Sequence, residues 1–189
     1  MTATTLEPVS NAAAPTLAVA AGRNLIAAGA IFGAANLFQW SVLSGAAHLH
    51  PALLSLSWPV AVTLFIVIVR RLRGLGGDHA IRAASWSRFS ILAQIVAALS
   101  LAGASALTQN WELMRWMSPI GLGFYGLAFS IAVVRGGPKW LGGVALGSFV
   151  AAAGVAQLIG TPEQYLAYAA GLIAFALIPG AVLAFGRAR

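Results

Sequence analysis

The stretch NLIAAGAIFGAANLFQWSVLSGAAHLHPALLSLSWPVAVTLFIVIVRRLR, residues 24–73, decides the fold class. It contains two apolar blocks, each of the roughly 20 residues that a helix needs to cross a hydrocarbon core of ~30 Å. A short polar corner, His48-Leu49-His50-Pro51, separates them, and an arginine cluster, Arg70, Arg71 and Arg73, closes the second. Read outward from there, the rest of the chain repeats this plan.

Composition supports the same class. Of 189 residues, 60% are hydrophobic and only 8% charged, with a mean hydropathy of +0.87. An average soluble domain carries roughly 25% charged residues, so this chain has too little polar surface to cover a core in water. A transmembrane β-barrel would show segments alternating apolar and polar over about 10 residues. The blocks here are continuous and rich in Ala and Leu, which selects helices. Cysteine is absent, which removes disulfides, thiol catalysis and Cys-ligated metal sites. The formal charge of +7 would suggest a nucleic-acid partner in a soluble protein, but the positive residues sit between apolar blocks, where bilayer orientation accounts for them. No nucleic-acid partner is expected.

The expected architecture is all-α: a polytopic integral membrane protein with six spans in three hairpins, at about 25–46, 52–69, 89–107, 118–134, 140–159 and 164–186. Residues 1–22, broken by Pro8 and Pro15 and carrying only Glu7 as a charge, read as a disordered tail. This tail lacks the positive start of a secretory signal. Of the 11 Lys and Arg residues, 10 fall on one side of this scheme, Arg115 being the exception. The positive-inside bias makes that side cytoplasmic, with both termini inside, in a bacterial-type inner membrane. Trp86 and Trp140 then suit the inner interface, and Trp111, Trp116 and Tyr165 the outer one. Basic residues recur 47 residues apart from Arg23 to Arg70 and from Arg88 to Arg135, and 48 apart from Lys139 to Arg187. Each returning span opens near a proline, Pro51, Pro119 or Pro162, but no side-chain motif recurs at matching offsets. Ser118 is expected as an N-cap, and Thr161 with Gln164 as a capping box. Asp78 is expected to cap a short helix over 79–82 on the longest connection.

No Asp, Glu, Lys, Arg or His stands inside any expected span away from its ends, which argues against a self-contained proton- or sodium-coupled pump. No acid–base or nucleophile–base pair can be named, so an enzyme is not expected, and no cofactor is called for. The spans instead hold amides: Asn36 and Gln39, three apart on one helical face, with Gln94 and Gln157. These either join helices or line a site for a small polar ligand. Pro59 and Pro179 interrupt the second and sixth spans as kinks. Gly29 with Gly33, and Gly143 with Gly147, form G-x-x-x-G pairs suited to close helix packing, within the bundle or between protomers. Gly121-Leu122-Gly123-Phe124-Tyr125-Gly126 matches the dinucleotide fingerprint, yet it lies in an apolar span rather than after a strand, and reads as packing too.

At the corners, His48 and His50, with Glu112 and Glu163, make the best metal-ligand candidates. Arg70, Arg71, Arg73, Arg82 and Arg88 suit contact with anionic lipid or a partner. Two functional readings follow. The bundle binds or passes a small neutral or apolar molecule. Alternatively, it is a non-catalytic subunit, scaffold or regulator of a larger membrane complex, or a homo-oligomer.

Overall fold

A computed structural model describes residues 16–74 and 77–186, without the side chains of residues 77, 79, 80 and 84–89. Most of the expected tail, and Arg187 and Arg189, lie outside the described residues, as do the Trp86 and Arg88 side chains. The elements in order are α1 (Leu17–Leu43), α2 (Leu54–Gly74), α3 (Gly77–Thr108), α4 (Met117–Val134), α5 (Trp140–Gln157), α6 (Glu163–Leu172) and α7 (Ile178–Phe185). Short 3-10 turns, Pro51–Leu53 and Trp111–Trp116, precede α2 and α4, and a π-helical segment, Ile173–Leu177, joins α6 to α7. No strand occurs among the described residues. Six helical stretches are long and apolar enough to cross a membrane, as expected of a multi-pass protein.

The first helix starts inside the expected tail. Thr16 Oγ1 accepts from the Val19 N–H at 3.4 Å, and the helix runs from Leu17. The Ala-rich run after it has high helix propensity, and the far end of the chain packs against it. Gly22 and Gly180 form that contact: a Cβ on Gly22 would stand 2.6 Å from the Gly180 carbonyl oxygen and the Ala184 nitrogen. A Cβ on Gly29 would meet the Leu177 nitrogen at 2.6 Å. Helix α1 is therefore the axis of the bundle, packed against α2, α3, α6, α7 and the π segment.

Among the described residues, four apolar clusters hold the bundle together, two of them built on Ala20 and Ala28 of α1 itself and two larger ones beside it. Leu122, Val155, Tyr168 and Leu172 bring α4, α5 and α6 together, with Phe32 and Trp58 against them. Phe32 also holds α2, its ring centroid 5.8 Å from Trp58 and 5.3 Å from Phe65. Phe129, Leu141 and Ala145 form the second of the larger clusters, with Leu25 of α1 at its edge. Outward, the helices carry large apolar side chains such as Val60, Val96, Leu99, Leu146 and Val150, each more than 60% exposed. Water would penalise such a surface heavily, whereas a bilayer suits it.

Several local expectations are corrected. The short helix after Asp78 is continuous with the third span, so α3 runs unbroken from Gly77. Ser118 does not cap α4: it lies buried inside the helix, and the 3-10 turn before it supplies the entry. The Thr161–Gln164 capping box does not form. Thr161 Oγ1 donates backward to the Leu158 carbonyl at 3.0 Å, closing the turn after α5. The two prolines differ. Pro179 is buried, and the helix ahead of it widens so that the Ile178 N–H reaches the Ile173 carbonyl five residues back. This makes room for a ring that would clash with the carbonyl four residues back in an α-helix. Pro59 sits within an unbroken α2 and is exposed.

Candidate functional site

The 3.6-residue period places Asn36 and Gln39 on the inward face of α1, and both are buried, Asn36 completely. Hydrocarbon offers an amide no partner, so each turns to protein. Asn36 Nδ2 donates to the Phe32 carbonyl at 2.7 Å, a bond that assigns the amide orientation. Its Oδ1 faces away from that carbonyl and, with the buried Ser105 Oγ, has no hydrogen-bond partner among the described residues. Gln39 Nε2 donates to Ser57 Oγ at 2.8 Å, and the Ser57 hydroxyl donates on to the Leu54 carbonyl at 2.8 Å. The pair thus anchors α1 to α2. Gln94 is half-buried on α3, and Gln157, the last residue of α5, is exposed. Among the described residues, neither shares a hydrogen bond with Asn36 or Gln39.

A fifth amide was concealed by its local spacing. Gln164 is fully buried, donates through Nε2 to the Arg115 carbonyl at 2.6 Å and accepts the Gly160 N–H at 3.4 Å. It ties the turn before α4 to the turn before α6.

The corners do not assemble a metal centre. His50 Nδ1 accepts from the Ala52 N–H at 3.2 Å and so caps the 3-10 turn, while His48 is exposed beside it. Glu112 pairs with Arg115 at 3.2 Å, and Glu163 is exposed at the start of α6. Among the described residues, no three His, Cys, Asp or Glu side chains gather as a metal site. Each candidate ligand serves, or stands at, its own corner.

The glycines separate by environment. Gly29 meets the backbone of the π segment, while Gly33 has only the Ile173 side chain at 3.9 Å. Gly147 receives the Phe175 ring, whereas Gly143 faces open space. In the fingerprint-like run, Gly121 lies under the Tyr168 hydroxyl and Gly126 under the Phe149 ring, so this segment serves helix packing.

The described residues include a groove large enough for a ligand. Helices α3 and α4 touch little, and between them lies a groove of about 440 Å³, open to the side and lined by Leu92, Ala93, Val96, Ala97 and Phe124. That falls within the usual range of ligand clefts. All five side chains are apolar, so the groove offers contact surface and no hydrogen bond. Arg70, Arg71, Arg73 and Arg82 are exposed near the α2–α3 connection, with Arg135 exposed just past α4.

These features define an all-helical protein with six potential membrane spans. No family model, curated protein or solved structure matches the chain.

Proposed function

We propose that the chain is a small, non-catalytic multi-pass membrane protein that binds or passes a small apolar molecule, taken sideways from the bilayer into the α3–α4 groove. The groove carries this reading: it lies between two apolar helices, is lined only by apolar side chains, and opens where lipid would surround the bundle. A molecule already dissolved in hydrocarbon enters it without crossing water, and fills dispersion contacts that a loosely packed helix pair leaves unmade. The positive-inside bias sets the orientation, with the arginines and both termini cytoplasmic in a bacterial-type inner membrane. Gln39 then acts as a strut between α1 and α2.

The test is photolabelling of the full chain in vesicles by a fatty acid carrying a tail diazirine. Label concentrated on Leu92–Ala97 and Phe124, and lost in Ala93→Phe with Ala97→Phe, is the expected result. Label spread evenly over every outward helix face would overturn the reading.

A second reading, as a subunit of a membrane complex, is favoured by Gly143, where an added Cβ meets nothing within 4 Å. A partner helix has room to approach there. Loss of co-purifying protein in Gly143→Leu, with folding intact, would support it.

A further inference from the structure

We infer that the α3–α4 groove is the acyl-chain half of a site for an anionic phospholipid, whose phosphate is taken by Arg82 and Arg135. The inference rests on the reading of the groove given above and names its ligand.

Helix register carries it. Arg82 precedes the groove residue Ala93 by 11 residues in α3, and Arg135 follows the groove residue Phe124 by 11 residues at the end of α4. Eleven residues are close to three helical turns, so each arginine stands within about 20° of its groove residue around the helix and about 16 Å along it. The short turn Trp111–Trp116 joins the opposite ends of α3 and α4, which therefore run antiparallel, with both arginines at one end of the groove. Both are exposed.

That spacing matches a lipid. The apolar span of α3 starts at Ser90, eight residues or about 12 Å past Arg82, so an arginine side chain reaching back toward the span meets the phosphate layer, and the first part of the acyl chain lies along Ala93 and Phe124. A guanidinium fork suits a phosphodiester, and the apolar lining suits a chain and nothing more polar. Arg70, Arg71 and Arg73 at the end of α2 raise the positive potential nearby, against which Asp78, in the first turn of α3, is the one acid between Arg70 and Arg88.

The test uses the full chain in phosphatidylcholine vesicles carrying a trace of tail-diazirine phosphatidylglycerol or, separately, tail-diazirine phosphatidylcholine. Labelling of the Leu92–Ala97 and Phe124 peptides should favour the anionic probe about twenty-fivefold, near fivefold for each arginine at a charged surface. Arg82→Gln with Arg135→Gln should bring the two probes within about twofold of each other, whereas Arg82→Lys with Arg135→Lys, which keeps the charges, should retain most of the preference. Equal labelling of the groove by both probes would overturn the anionic-lipid site while leaving apolar binding standing. A preference that survives the glutamine pair would also overturn the arginines' part in it. Absence of groove labelling by either probe would overturn both this site and the reading beneath it.

Discussion

The Gln164 amide donates to the Arg115 carbonyl at 2.6 Å across 49 residues of chain, and its oxygen accepts the Gly160 N–H. One fully buried side chain thereby satisfies main-chain groups of two different corners. Gln164→Leu removes both bonds and puts isobutyl in their place. Leaving buried polar groups unpaired costs about 1–3 kcal/mol. The variant should unfold in detergent several degrees below the parent, and an unchanged midpoint would show that the link contributes nothing.

Glycines in this bundle should differ in the sign of their response to the same substitution. Gly180→Ala places a methyl 2.8 Å from the Ile26 nitrogen and 2.9 Å from the Gly22 oxygen, backbone atoms that cannot move aside. Overpacking of this kind costs about 1–3 kcal/mol. Gly143→Ala adds its methyl in open space, and gains up to about 1 kcal/mol from the lost flexibility of glycine in a helix. Thermal midpoints of the two variants on either side of the parent value would confirm the distinction. Equal losses at both sites would contradict the packing of α1 on α7.

How far the chain could be read beforehand follows from the range of each interaction. The spans are legible because hydropathy sums over some 20 neighbouring residues, and the inward face of Asn36 and Gln39 because helical period is local. Gln164 reads as a capping residue because Thr161 and Gln164 satisfy that pattern by spacing alone, whereas its partner Arg115 lies far away in sequence. The start of α1 at Leu17 is hidden from local pattern because its stabilising contact, Gly180, is near the other end of the chain. The groove was invisible for the same reason. Leu92, Ala93, Val96 and Ala97 look like any lipid-facing turn until α4 is seen to stand off from them. The histidine corner gathers no third ligand among the described residues, since Glu112 and Glu163 stand at other corners of the chain.

Gln39 and Ser57 provide a pairwise measure of how α1 is fastened to α2, at 2.8 Å. Side-chain hydrogen bonds between membrane helices average about 0.6 kcal/mol and reach about 1.7. A double-mutant cycle with Gln39→Met and Ser57→Ala should return a coupling in that range from detergent unfolding. Strict additivity would mean that each group finds an equal partner when the other is removed.

The orientation proposed for the chain is open to a direct test, because it contains no cysteine and any introduced thiol is unique. His48 lies six residues before α2 and Arg73 in its last turn, both exposed. The 21 residues of α2 span about 32 Å, slightly more than a hydrocarbon core of ~30 Å, so the two positions should face different compartments. With the arginine-bearing end cytoplasmic, His48→Cys should react with a membrane-impermeant maleimide in intact cells from which any outer membrane has been removed. Arg73→Cys should react only after the inner membrane is opened. The reverse pattern would invert the topology while preserving the spans. Equal access to both thiols in intact cells would mean that α2 does not cross the membrane, and the lateral groove would then have no lipid from which to draw its ligand.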